Sequence, residues 1–257
     1  MVTLTLKGGT KKTFVNTNSF TLSNVSLLST VSLGDHLFPN LDSFSISNCP
    51  LCLRVSIGVL SCNVAIVSAT LSNLENLREL SIGTSSFQNM SSLTLENVPK
   101  LEASGLKFND ALLANNNLKL YLDVTSDLAK ELVSKNSKIN LSVRSIDQIV
   151  NASSPIYVNS LEWGEEFKSE FFNQVSWNCL LYLQSLVIHN SACNTVTSFR
   201  LSEMKYLKYI KIGRSAFDVK NAKEFYLSKL PSLQKVQIDY SSFTSFASVV
   251  IKGWLFL

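Results

Sequence analysis

Charge is scarce in this chain of 257 residues: only 16% are Asp, Glu, Lys or Arg, against about 25% in an average soluble domain. Nine glycines, five prolines and two histidines are the other shortages. No apolar run approaches the ~18 residues that a membrane-spanning helix needs, so the sequence contains no such span. The net charge of +4 is too small and too scattered for a nucleic-acid-binding surface. With 46% hydrophobic residues, the chain has ample apolar surface to offset the entropy of ordering, which excludes a disordered polymer. Serine and asparagine are used heavily where glycine and proline are sparse, a combination that suits many short strands joined by polar turns.

Internal periodicity accounts for most of the chain. Asn24, Asn48, Asn73 and Asn97 anchor four segments at spacings of 24, 25 and 24. Leu22, Ile46, Leu71 and Leu95 precede the anchors by two positions, and Val25, Cys49, Leu74 and Val98 follow directly. Leu28, Cys52, Leu77 and Leu101 stand four positions after them. The pairs Val31/Leu33, Val55/Ile57 and Leu80/Ile82 come next, the fourth copy placing Ser104 and Leu106 there. Gly34, Gly58 and Gly83 follow, and then Phe38, Cys62 and Phe87. The template returns as Phe199, Leu201, Met204, Leu207, Ile210, Ile212, Gly213 and Phe217, and again as Phe225, Leu227, Leu230, Leu233, Val236, Ile238 and Phe243. A partial copy holds Leu180, Leu183, Leu186, Ile188 and Cys193.

Alternation such as Leu80-Ser-Ile82 or Phe44-Ser-Ile46 points apolar side chains to one side of a short strand. One unit of about 25 residues therefore carries two strands and two turns. It cannot bury its apolar edge alone, whereas stacking builds parallel ladders around a continuous core. The Asn anchors are expected to satisfy turn groups from rung to rung. The glycines are expected where the chain turns out of the strand with positive φ.

Segments such as Asn73-Leu-Glu-Asn-Leu-Arg-Glu-Leu-Ser-Ile-Gly-Thr-Ser-Ser-Phe87 resemble leucine-rich repeat proteins, most closely the expanded leucine-rich repeat families of microbial eukaryotes. The resemblance covers about 20–115 and 179–251. It implies a leucine-rich repeat solenoid, a parallel β-rich right-handed superhelix with short helices or turns on its convex side. It also implies a protein-interaction role, with no catalytic residue. Serine (Ser85, Ser215, Ser241) replaces the family's usual asparagine after the strand, so the ordinary asparagine ladder is not expected at that corner.

Three regions follow from the pattern: regular repeats over 1–115, irregular repeats with short helices over 116–178, and regular repeats again over 179–257. In the middle, Leu118–Val124 and Ile139–Val143 read as strands. Ser126–Val133 reads as a helix capped by Ser126 or Asp127. Glu165–Phe172 reads as a second helix, with Phe167, Phe171 and Phe172 on a face that packs on the solenoid. Leu4 and Leu6 fill a strand pair, Val249 and Ile251 match Phe225 and Leu227, and Trp254–Leu257 stops before the next main strand. Recognisable polar caps are missing, which suggests a section of a longer array and leaves the compartment unassigned.

Residues with chemical potential fit the repeat. Cys49 and Cys52 have C-x-x-C spacing, yet both fall in apolar columns, as do Cys62 and Cys193, so they read as structural thiols. Cys179 is at an anchor position. His36, beside Asp35 on a turn, and His189, in a glycine slot, do not assemble a triad. Lys7–Thr13 lacks phosphate-loop spacing, and Glu162, Glu165 and Glu166 read as a charged helix face. Asn24, Asn89, Asn140 and Asn151 begin N-x-S sequons, which do not by themselves establish secretion. No metal site and no cofactor is expected.

The outward strand positions are Thr30 and Ser32, Arg54 and Ser56, Glu79 and Ser81, Ser185 and Val187, Tyr209 and Lys211, and Lys235 and Gln237. Tyr209, Lys211, Lys235 and Gln237 form the expected partner-binding patch, with Arg54 and Glu79 as a second locus. The leading expectation is a non-enzymatic scaffold whose partner is another protein, with no nucleic acid involved. A surface adhesion protein is the alternative. A polysaccharide-active solenoid ranks last, because it needs carboxylates on neighbouring rungs.

Overall fold

A computed structural model describes residues 1–59, 61–62, 68–109, 112, 115, 118–135, 140–143, 145–164 and 167–253. The chain forms two compact units, Met1–Asn140 and Leu141–Leu257, and each is a parallel-strand β-solenoid. In the first, Val2–Leu6, Leu28–Leu33, Arg54–Ile57, Glu79–Ile82 and Leu106–Lys107 stack as one ladder. Ser19–Ser23, Ser43–Ser47, Ser68–Ser72, Ser92–Glu96 and Lys119–Tyr121 stack as the other. In the second unit the main ladder is Ser160–Trp163, Ser185–Ile188, Tyr209–Ile212 and Lys235–Ile238. Its companion is Ser198–Ser202, Glu224–Ser228 and Ser248–Lys252.

The stacking register follows the sequence columns. Val55 lies beside Val31 and Leu80, and Ile46 beside Leu22 and Leu71. Leu4 and Leu6 pair with Val31 and Leu33, while Val249 and Ile251 pair with Phe225 and Leu227. Strands such as Glu79–Ile82 alternate half-buried and buried residues, which is the signature of one face on a core. The fourth copy departs from the spacing. A 3-10 turn at Ala103–Gly105 adds two residues, so Leu106, and not Ser104, pairs with Leu80.

Each regular rung bends at residues in the left-handed backbone region. Asn24, Asn48, Asn73 and Asn97 have φ of 58°, 53°, 53° and 50°, a conformation asparagine tolerates better than most side chains. Their amides bond one another: Asn48 Nδ2 donates to Asn24 Oδ1 at 3.1 Å, Asn73 to Asn48 at 2.8 Å, and Asn97 to Asn73 at 3.0 Å. The side chains thus bond along the stack, while their backbone N–H groups reach the next rung, as Asn48 N does to Ser72 O. The column of Phe38, Cys62, Phe87, Cys193, Phe217 and Phe243 is also left-handed, with φ from 50° to 61°. It holds no β-branched residue, the type that this region tolerates least.

The glycine column serves a different purpose from the one expected. Gly34, Gly58, Gly83 and Gly213 do not have positive φ; the bend falls two residues later, at Ser85 and Ser215. A Cβ on Gly83 would sit 2.7 Å from the Gly58 carbonyl, so these positions need glycine because successive backbones approach closely. The adjoining corner carries a serine ladder. Ser86 Oγ donates to Gly58 O at 2.5 Å and accepts from Ser61 N at 2.9 Å. Ser61 Oγ repeats this, donating to Gly34 O and accepting from Leu37 N.

Between the regular stretches, Lys119–Tyr121 is a strand within the expected Leu118–Val124. Helix α1 spans Asp127–Lys135, and Ser126 caps it by accepting from Ala129 N at 3.1 Å. Residues 140–143 form no strand, although Leu141 and Val143 are buried; Ile139 lies outside the described residues. The second expected helix is a 3-10 segment, Ser169–Gln174. Phe172 enters the core against Trp163 and Phe199 at ring distances of 5.0 and 5.7 Å, so its ring fixes the segment without a regular helix. Trp254–Leu257, Glu165 and Glu166 also lie outside the described residues.

Candidate partner-binding face

Both main ladders present outward columns, because in-register parallel pairing repeats the same position rung after rung. In the first unit one column runs Thr3, Thr30, Arg54, Glu79 and the next Thr5, Ser32, Ser56, Ser81, Lys107. Glu79 is the centre of charge. Arg54 Nε lies 3.4 Å from one carboxylate oxygen and Lys107 Nζ 2.5 Å from the other. The hydrogen bond from Lys107 holds the Glu79 carboxyl below its usual range, aided by the charges of Lys107 and Arg54. A groove of about 600 Å³ surrounds them, lined also by Thr30, Arg78 and Ser104. Lys107 was hidden from sequence reading because the two-residue insertion moves it into the Ser81 column.

In the second unit the columns are Ser160, Ser185, Tyr209, Lys235 and Glu162, Val187, Lys211, Gln237. Tyr209 and Lys235 stand opposite one another, as do Lys211 and Gln237, so the four expected residues share one patch. Lys235 Nζ lies 5.8 Å from the Tyr209 ring centre. Gln237 donates to Asp239 Oδ1 at 3.2 Å. Glu162 belongs to the Ser160–Trp163 strand and not to a helix. Its carboxylate lies 3.5 Å from His189 Nε2, at the exposed end of the next strand.

The remaining reactive residues sit elsewhere. Cys49, Cys52, Cys62 and Cys193 are buried and unpaired, and Cys179 is half-buried. Burial pushes the Cys52 thiol up to about 11 and Cys62 up to about 12, leaving both as neutral, weakly nucleophilic core groups. Asp35 Oδ1 accepts the Val59 amide at 2.7 Å, so that oxygen is tied to the next rung. Among the described residues, no cluster of three or more His, Cys, Asp or Glu is arranged to hold a metal ion. None of their helices is long and apolar enough to cross a membrane.

Comparison with protein-family models, with curated proteins and with solved structures gave no match. The geometry therefore stands as the guide to function.

Proposed function

We propose that the chain is a non-enzymatic protein-interaction scaffold of the leucine-rich repeat type, a right-handed superhelix that binds through its extended strand face. The observation that carries this reading is the in-register pairing of Tyr209 with Lys235 and of Lys211 with Gln237. It turns positions far apart in sequence into one contiguous surface of aromatic, cationic and amide groups, the mixture favoured at interfaces. The strand face also speaks against a carboxylate-based enzyme. Glu79 stands between two cations and Glu162 faces a histidine, and no two carboxylates share neighbouring rungs of the described main strands.

A photo-cross-linking residue at Ser185, on the strand face, and another at Ser245, in a turn, test the reading. A protein partner is expected to cross-link from Ser185 and not from Ser245; the reverse pattern would overturn the strand-face assignment. Exposure of Asn89 and Asn151 favours the second reading, a surface recognition protein on the same scaffold. That reading expects glycan mass at one of the two sites when the chain passes through a secretory pathway.

A further inference from the structure

The rung that supplies Tyr209 includes the stretch Lys205-Tyr-Leu-Lys208-Tyr-Ile-Lys211-Ile-Gly-Arg214, which has a cation at every third position and no carboxylate within it. Neighbouring rungs bring one carboxylate beside this stretch, Asp239, which accepts from Gln237 Nε2 at 3.2 Å and forms no ion pair with these cations among the described residues. Gln184 accepts from Lys208 at 3.2 Å, Val187 stands beside Lys211, and Asn190 Oδ1 accepts the Arg214 amide. On the other side lie Lys235, Gln237 and Tyr240. Among the described residues no ion pair engages Lys205, Lys208, Lys211, Arg214 or Lys235. Elsewhere in the same unit cations do find partners, as in Arg200–Glu224 and Lys229–Glu203, both at 2.6 Å.

Aromatic rings hold three of these cations instead. Lys205 lies 5.3 Å from the Tyr206 ring centre, Arg214 4.8 Å from Tyr240, and Lys235 5.8 Å from Tyr209. Tyr206 is itself stacked on Tyr182 at 5.4 Å. Cation–π contact orients a charge without neutralising it, so the strip repels itself and attracts an anion. The tyrosine faces so covered are less open to stack on bases, which disfavours a single-stranded nucleic acid. A segment extended as polyproline II turns once every three residues and rises about 9 Å in doing so, so a partner in that form keeps an acid at every third position on the one face that meets the strip.

We propose that this rung is the docking strip for an acidic, extended segment of a protein partner, with carboxylates pairing to Lys208, Lys211 and Arg214. This deepens, and rests on, the strand-face reading. The test is fluorescence anisotropy of the whole chain with a labelled peptide of about twelve residues, glutamate at every third position. Binding is expected to weaken as salt rises and to fall about tenfold in K208E/K211E. K208Q/K211Q, checked for an unchanged melting temperature, is expected to lose less. A glutamine version of the peptide is expected not to bind. Equal affinity for K208E/K211E and the parent overturns the proposal. So does absence of peptide binding, or binding of oligothymidylate as tight as that of the glutamate peptide. If the peptide fails while Ser185 still cross-links a protein partner, only the acidic segment is refuted; cross-linking from Ser245 alone refutes the face itself.

Discussion

The two units make the same turn with different chemistry. In Met1–Asn140 the left-handed anchor corner is occupied by Asn24, Asn48, Asn73 and Asn97, joined by neutral amide bonds. In Leu141–Leu257 the equivalent corner holds Glu203 and Lys229, at φ of 62° and 51°, joined by an ion pair at 2.6 Å. The interiors differ as well. Both units connect phenylalanines, Phe14, Phe38, Phe20, Phe44 and Phe87 in the first and Phe172, Phe199, Phe217, Phe225 and Phe243 in the second. The first also buries Cys49, Cys52 and Cys62, where, among the described residues, the second buries Cys193 alone. The backbone bend is thus the common requirement, and different side-chain pairs can bridge the rungs at it.

The largest effect that separates the units is expected from Phe217→Ala. Phe217 is fully buried and meets Phe243 at 4.7 Å and Phe199 at 5.2 Å. Its loss should destabilise the second unit by about 3–5 kcal/mol. Thiol labelling during urea unfolding reads each unit separately, through Cys193 in one and Cys62 in the other. Only the Cys193 transition should move; an equal shift at Cys62 would show that the units unfold together.

Ser86→Ala attacks the first unit. It leaves the buried Ser61 N–H and the Gly58 carbonyl without their partner, at about 1–3 kcal/mol, and should shift the Cys62 transition. Asn73→Ala removes two ladder bonds from a left-handed position and should cost about 1–2 kcal/mol. Asn73→Gly should recover the backbone part. If glycine is no better than alanine, conformational strain is not what selects asparagine there.

Smallest is the exchange E203N/K229N, which transplants the amide ladder into the second unit. Lys229 holds the Glu203 carboxyl below its ordinary 4.5, and Glu203 raises Lys229 above its ordinary 10.5. The carboxylate contribution is therefore complete above 4.5 and is lost as pH falls through the lower folded value. The lysine contribution is complete below 10.5 and is lost as pH rises through the higher folded value. Both groups are exposed, so salt screens them. The exchange should flatten the dependence of Tm on pH and salt while barely moving Tm near neutrality.

The stacking plan was legible because burial imposes a fixed column on every rung, and Leu80, Val55 and Ile210 cannot leave theirs without facing solvent. The turn out of Ile82 was harder. Backbone proximity and positive φ both select glycine, and the sequence does not say which one acts at Gly83. The serine ladder was invisible for a related reason, since Ser61 and Ser86 look like any other turn serine until their hydroxyls are seen to be buried. The site was half legible. Tyr209, Lys211, Lys235 and Gln237 share a patch, and Arg54 meets Glu79. Lys107 was displaced by an insertion that a 3-10 turn absorbs without any apolar signal, and Glu162 was masked by the aromatic spacing that follows it.

The asparagine ladder also makes the length of the first unit a stepwise quantity. In each of the three bonds the amide on the C-terminal rung donates to the one on the N-terminal rung, so the ladder has polarity, and any member can follow any other. Excising Leu74–Asn97 would join Asn73 to Val98, a residue that already follows an anchor, and the shortened stack would lose a single amide bond. Excising half that length would set a strand where a turn must be. Whole rungs are interchangeable parts, whereas fractions of a rung are not.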